Sequence, residues 1–548
     1  MQREAISSIL EKDALMSLIT KKNFFKTSLV FFLFLVLSVA GYSQQEKVRT
    51  GGTLRVRTFY QGLVPSLDPV QPDCDLVILD QIFEGLIRFN SSLQIVPELA
   101  DYWVISPEGT KYTFYLKKNV RFHHGHPLTA RDVKASLERL IKPGRGPFYA
   151  YFISKVKGAK EFYEGRETGV KGFSVRDNHI FEIELLEPNP SFLSILAAPF
   201  CKIFPQDLLD SQDKNFFYRP SGTGPFKFAY WLRDSRLRII GVRLERNENY
   251  YGPKPHLEAI EFSSTFTLDQ FLEREVDIIP YYSPSLSRTE CQVLESDSFQ
   301  LLYLGFSCHR SPFDNPLVRK AASLAIDKRH LARTYFTFET MPQVLNNIIH
   351  PRLPGFFPLE AKEDRNINEA RSLMAQAGYI FSRPPGPVDF CVLKKDRWRG
   401  ERIYWPLKEQ LAEIGLDIRL KIISSLKNVQ SLKNPYLILF SWTIDFPDPE
   451  NIVRPLFSLN AEINQLLFHY KSETVETLLA LSEREKSWGK RNEIFRQIEA
   501  QLLKDLPVIP LFSLHQRLAV QRYVRGIKVP ALGFSLMDMS LVWKEEVR

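Results

Sequence analysis

The stretch SWTIDFPDPE, residues 441–450, gathers the densest set of groups in the chain that could act on another molecule: Asp445 and Asp448 three residues apart, Glu450 after them, and Trp442 just before. Two carboxylates at that spacing could serve as general acid and base. One of them alone could hold a cationic ligand through a charge-assisted hydrogen bond. Pro447 and Pro449 forbid a regular helix across the acids, so the pattern predicts a shaped loop between the strand-like YLILF and the helix-like NIVRPLF. Loops at strand ends are where layered α/β folds place ligands. A structural role competes, because Asp448 and Glu450 also stand where acids favour the N-terminus of the next helix. The residues alone leave both roles open.

The second candidate is FHHGHPL, with His123, His124 and His126 within four positions. Three imidazoles so close could chelate a divalent ion, yet Gly125 and Pro127 equally mark a tight turn whose polar side chains face water. No other histidine or cysteine evidently completes a coordination shell, so no metal ligand and no cofactor is assigned. The remaining signals are weaker. GTGPFK, residues 222–227, lacks the spacing of a phosphate loop and reads as a turn before a strand. SSLK at 424–427 has no accompanying KTG box. HExxH, GxSxG, Walker and GxGxxG patterns are missing. Cysteines 74, 201, 291, 308 and 391 form no CxxC pair, which argues against a zinc site. Buried structural thiols are expected, with one or two disulfides open to an exported chain.

These groups need a scaffold, and the chain supplies alternating elements. Short β-like runs (TLRVRTFY, YTFYLK, IFEIELL, RLRIIGVRLER) alternate with amphipathic helical stretches (ARDVKASLERLI, PLVRKAASLAID, INEARSLMAQAG) over the whole length. That alternation predicts α/β domains and no repeat. Thr129 is a helix cap with Asp132 as its capping-box acid, and Asn366 with Glu369 repeats the design, stopped by Gly378. WPLKEQLAEIGLDIRLKII reads as a helix burying Leu407, Leu411 and Ile414, a Gly415 stop and a strand. No Pro/Gly/Ser linker separates domains, so discontinuous domains joined by crossing strands are expected.

At 548 residues, two or three domain-sized units are expected. The composition is that of a globular protein, with 44% hydrophobic and 25% charged residues. The net charge of +9 is spread among interleaved acids and bases, whereas a nucleic-acid binder would cluster its cations. Near the start, Lys21, Lys22 and Lys26 precede an apolar run from Leu29 to Leu37 and then small residues up to Ser43. That order describes a secretory signal over residues 1–43, with a retained membrane anchor as the alternative.

Several blocks in order resemble one family. GGTLRV, PSLDP, IFEGLIRF, the long run from PELADYW to KASLERL, SGTGPFKF, SPFDNPLVRKAASLAIDKRHL, INEARSLMAQAGY, EQLAEIGLDIRL, SWTIDFPDPENIVRPLF and LPVIPLF together span residues 51–548. In them the chain is similar to the extracellular solute-binding proteins of bacterial ABC importers, family 5, the dipeptide- and oligopeptide-binding type. The resemblance implies a two-lobed periplasmic-binding-protein-like α/β fold of type II, with an extra domain, around a hinged cleft. Residues 51–88, 200–303 and 510–548 would form the main domain of lobe I, 89–199 the additional domain packed on it, and 304–509 lobe II. Crossover strands near Tyr303–Phe306 and Pro507–Leu511 would be the hinge. It further implies a monomeric, extracytoplasmic receptor without enzymatic activity, which captures peptides and delivers them to a membrane permease.

By the same likeness Asp445 would pair with a peptide's α-ammonium group, with Trp442 beside it, Tyr151 as a wall of the pocket and Asp73 as a further cleft residue. Where the family's turn usually reads His-Asp-Gly, this chain has His123-His124-Gly125. Relatives that take nickel or other metal chelates, haem, opines or oligosaccharides keep other solutes in view. An exported hydrolase using Asp445 and Asp448 is the reading from a different class.

Overall fold

The structure is a computed structural model that describes residues 48–58, 67–71, 74–144, 147–210, 216–281, 286, 291–335, 340–354, 356–360, 365–380, 382–529, 533–534 and 537–545. The expected signal over residues 1–43 and the candidate Asp73 lie outside them.

Two long apolar runs, VLESDSFQLLYLGF and VIPLFSLHQRLAV, form the backbone of the fold. The strand Cys291–Phe306 pairs antiparallel with Val508–Gln521, from Cys291 opposite Gln521 to Gly305 opposite Val508. At one end of this pair, Tyr436–Thr443 joins residues 300–306 and leads through parallel pairings to Val388–Leu393 and Ile418–Ile423. At the other end, Ile278–Pro280 joins Leu518–Val520. Beyond it follow Thr53–Arg57, Ala259–Ser263, Ile239–Arg246 and Phe226–Arg233. Thr340–Val344 also pairs with Val508–Gln521, completing an 11-stranded sheet. Cys291–Phe306 and Val508–Gln521 therefore form the middle of the sheet, with strands continuing to either side of them. Thr50–Arg548 pack as one compact unit.

A separate four-stranded sheet runs in the order Ala100–Ile105, Lys111–Leu116, Ile180–Glu184, Phe173–Asp177. The helix Ala130–Ile141 covers it and occupies the whole run read as helical. The Asp132 carboxylate accepts from the Thr129 N–H at 2.8 Å and from its hydroxyl at 2.7 Å, closing the expected capping box. Val133, Leu137 and Leu140 share one core with Phe114, Phe181 and Ile183, and the same core takes in Phe446 from the 441–450 stretch. Burying one such phenylalanine is worth roughly 1.5–3 kcal/mol, so it anchors the loop firmly.

In the half that carries Tyr436–Thr443, the strands are sandwiched by helices. Arg397–Ala412, which connects the adjacent parallel strands Val388–Leu393 and Ile418–Ile423, buries Ile403, Leu407 and Leu411 in one core with Val388, Phe390 and Ile418. Gly415, at φ +84°, makes the stop. This helix begins eight residues earlier than Trp405, where its apolar period starts, and carries Pro406 inside it. Asn366 caps Ile367–Gln376 by accepting from the Glu369 N–H at 3.2 Å, and Gly378 at φ +89° ends it. No disulfide joins any two of the five cysteines, and Cys201, Cys291 and Cys391 are buried. Among the described residues, no helix is long and apolar enough to cross a membrane.

Candidate ligand-binding site

The strand Tyr436–Thr443 ends at the 441–450 stretch, and the helix Glu450–Phe457 begins there. Between them the loop has the shape its prolines require. Its three acids fall into two surroundings.

Asp448 is fully buried and receives a bidentate fork from Arg491, Nη1 to Oδ2 at 2.7 Å and Nη2 to Oδ1 at 2.9 Å. It also accepts the Glu450 N–H at 2.8 Å at the helix start. Glu450 is equally buried and bonds Lys155 Nζ at 2.9 Å, Arg454 Nε at 3.2 Å and the Ser191 hydroxyl at 2.6 Å. Glu483 adds contacts to Lys155 at 3.4 Å and Arg454 at 2.8 Å. Three carboxylates thus meet three cations. Burial alone would raise the Glu450 carboxyl, but Lys155, Arg454 and Arg491 outweigh it and hold the group well below the usual carboxylate range. Asp448 fills the capping role left open for it, and its bonds leave no oxygen to offer as the second acid of a pair, whereas Glu450 stands in the first turn with its carboxylate taken by side chains.

Asp445 differs. Its Oδ2 accepts from the Tyr151 hydroxyl at 2.7 Å, and its backbone N–H donates to Asn451 Oδ1 at 3.0 Å. Asn451 in turn donates to the Tyr151 hydroxyl at 3.1 Å, and its carbonyl accepts the Trp442 indole N–H at 3.0 Å. Asn451 therefore ties Asp445, Tyr151 and Trp442 into one constellation. Tyr151 stacks on Phe200, with ring centroids 5.6 Å apart, and meets Phe446 edge-on at 5.4 Å. Asp445 is half-buried, and among the described residues no cation pairs with it. Burial raises its pKa against the lowering effect of the bonds from Tyr151 and Asn451. Burial, with the nearby Asp445 charge, likewise raises the Tyr151 phenol, so it stays a donor. The result is a carboxylate in an aromatic setting, oriented by neutral donors and lacking a counter-ion.

The other sequence candidates have structural explanations. Gly222 and Gly224 face the end of the helix Leu76–Ile82, where a Cβ would come within 1.9 Å of the Ile82 carbonyl oxygen and 2.5 Å of the Gln81 oxygen. They permit close backbone approach and do not cradle a phosphate. Ser425 caps a short 3₁₀ turn, accepting from the Lys427 N–H at 3.3 Å. A cavity of about 230 Å³ lies away from the 441–450 loop. Its buried carboxylates already serve Lys202 (Asp80, 2.7 Å), Tyr250 and Tyr251 (Glu84, 2.8 Å each) and the Gly85 N–H (Glu98, 2.6 Å).

A family profile described as bacterial extracellular solute-binding proteins, family 5 Middle, matches residues 94–463. The chain belongs to this family. The family 5 chain is similar to the dipeptide-binding protein of Escherichia coli strain K12, 24% identical over 486 residues that cover 82% of this chain and 87% of the relative. It is also similar to heme-binding protein A of Haemophilus influenzae, 24% identical over 460 residues, 79% of this chain and 81% of the relative. Among solved structures, it resembles the ABC transporter-associated periplasmic binding protein DppA of Helicobacter pylori in complex with the peptide STSA. That match has a TM-score of 0.71 at 23% identity and covers 92% of this chain and 100% of the other. Its bearing is on the fold: this is the two-lobed α/β binding-protein architecture that the blocks of sequence imply.

Asn451, Arg491, Lys155 and Ser191 escaped the sequence reading. Asn451 carried a signal, an amide in the first turn of the helix that follows the acids. The other three lie 43 to 295 residues from their partners in the loop, and nothing local marks them.

Proposed function

We propose that this solute-binding protein is an extracytoplasmic receptor that captures peptides by their free α-ammonium group and hands them to the permease of an ABC transporter. One observation carries the reading: of the three acids in the 441–450 loop, Asp445 alone lacks a cation among the described residues. A half-buried carboxylate gains most from an ammonium that arrives with hydrogen-bonding geometry, because the pair offsets the desolvation of both charges. Tyr151 and Trp442 would wall the pocket, and Asp73 would complete the cleft. The ligand named for the Escherichia coli relative, a dipeptide, has the required ammonium group.

In this reading residues 51–88, 200–303 and 510–548, with 89–199 packed on them, close against 304–509 about the crossing strands at Tyr303–Phe306 and Pro507–Leu511. Tyr151 would swing away from Asp445 as the cleft opens and return as it closes. Closure is favoured as far as the ligand binds the closed state better than the open one. The protein binds without turnover, acts as a monomer and is exported by its N-terminal segment. The test is calorimetric titration with a tripeptide and its N-acetylated form. The free peptide should bind one per chain, and acetylation or Asp445→Asn should abolish binding. Equal binding of both peptides removes the ammonium anchor, and release of hydrolysed product would install the hydrolase instead.

A further inference from the structure

The HHGH turn holds a feature that the peptide cleft does not use. His123 is turned inward and half-buried. Its Nδ1 accepts the Gly222 N–H at 3.2 Å and its Nε2 donates to the Gly224 carbonyl at 3.0 Å, so both ring nitrogens are spent. Burial lowers its pKa to about 4, which keeps the ring neutral as those bonds require. The His123 N–H also bonds the Gly222 carbonyl at 2.8 Å, and Gly125 at φ +97° reverses the chain. His123 is thus the anchor of a fixed turn.

The two histidines that remain point outward to a common partner. His126 Nδ1 lies 2.8 Å and His124 Nε2 3.5 Å from Oδ2 of Asp207, and the three donor groups fall within 4.8 Å of one another. His124, His126 and Asp207 are 25%, 61% and 43% exposed, so an ion can reach them. The other nitrogen of His124, Nδ1, is held by the Ser221 hydroxyl at 2.8 Å. Such an outer partner fixes ring orientation and leaves the opposite nitrogen for a metal. Asp207 sits on the short helix Gln206–Asp210, tied down where the Gln206 N–H meets Asp132 Oδ1 at 2.8 Å.

We propose that His124 Nε2, His126 Nδ1 and Asp207 form a binding site for one borderline divalent transition-metal ion, Zn²⁺ as the reference ion, separate from the peptide cleft. Bonds of about 2.0–2.2 Å to a tetrahedral ion put donor atoms about 3.3 Å apart, near the 3.5 and 2.8 Å that separate the two imidazoles from Asp207. Two imidazoles and one carboxylate suit zinc, nickel or copper better than magnesium or calcium. Three protein donors leave the fourth position to water or to a metal-bound ligand. Among the described residues, the site shares no residue and no hydrogen-bond partner with Asp445, Tyr151, Trp442 or Asn451.

The experiment is equilibrium dialysis of the full chain against Zn²⁺, with Co²⁺ spectra as a second readout. One Zn²⁺ per chain is expected at neutral pH. Affinity should fall at least tenfold in His126→Ala and in Asp207→Asn, and about tenfold in Ser221→Ala, which only positions His124. His309→Gln, at the other close histidine pair (ring centroids 3.9 Å apart), should bind normally. Binding should weaken on acidification, because protons compete with the metal for its ligands. Should a variant fail to fold, the Co²⁺ spectrum of the unaltered chain decides: weak d–d bands of nitrogen and oxygen donors support the site, and a thiolate charge-transfer band places the metal on a cysteine and overturns it. Substoichiometric zinc, or zinc unaffected by these substitutions, also overturns it. Peptide titration in the presence and absence of Zn²⁺ should agree, which separates this site from the receptor reading.

Discussion

Asp445 and Asp448 stand three residues apart on one loop in opposite electrostatic situations. Asp448 is sealed with Arg491 at 2% exposure for both side chains, within a cluster where three acids meet three cations. Asp445 is half-buried, bonded only by neutral groups, and without a cation among the described residues. The contrast teaches where structure ends and recognition begins. A buried charge with its partners is committed to the fold, and one without a partner is, in the proposed reading, open to a ligand.

The largest expected effect breaks the committed side. Arg491→Met strands Asp448 and Glu450 in the interior with fewer cations, and should cost about 3–5 kcal/mol of stability in a denaturant titration. Asp445→Asn should do the reverse: lose about 2–5 kcal/mol of peptide affinity while the unliganded melting temperature holds or rises. Matching losses of stability in the two variants would erase the distinction.

Acidification sharpens it further, because the two carboxyls shift in opposite directions. Glu450, depressed by its cations, contributes stability that is present above the ordinary glutamate value of about 4.3 and is lost only as pH falls through its lower folded value. Asp445, raised by burial, must be ionised to pair with an ammonium, so peptide binding should fail above the ordinary aspartate value of about 3.9. In the unliganded chain the same raised group favours the fold at low pH, an effect lost as pH rises through its folded value. Calorimetry and thermal unfolding between pH 7 and pH 3 should therefore show binding disappear while the Asp448–Glu450 cluster still holds. Simultaneous loss would contradict the assignment.

A smaller effect is expected from Tyr151→Phe, which removes the hydroxyl at Asp445 and should cost about 1.5 kcal/mol of peptide affinity, roughly tenfold. Smallest is Arg484→Ala. It breaks the pair with Glu187 at 3.3 Å, where both side chains are more than 60% exposed, and stability should move by no more than about 0.5 kcal/mol. Similar effects from this pair and from Arg491 would show that burial is not what separates the two.

Local rules were legible. The capping box at Thr129 and Asp132, the glycine stops at Gly378 and Gly415, and the proline-shaped loop at 441–450 each depend on residues a few positions apart. Propensity and hydrogen-bond chemistry act at that range. The start of the helix Arg397–Ala412 was missed because RWRGER carries no clear apolar period, and packing against Val388–Leu393 overrides Pro406 as a boundary. The candidate site was half legible: Asp445, Trp442 and Tyr151 could be named from resemblance. Asn451, which links them, and the cations that neutralise the neighbouring acids could not.

The sequence by itself determined the alternation of strands and helices, the turn at His123–Gly125 and a loop bearing three acids, since each follows from periodicity, caps and turn residues along the chain. Only the tertiary structure decided which acid keeps its charge uncompensated. Lys155 and Arg491 reach the loop from 295 and 43 residues away, and Asp207 reaches the histidines from 81 and 83. Electrostatic meaning depends on distance and burial in space, and sequence separation carries neither.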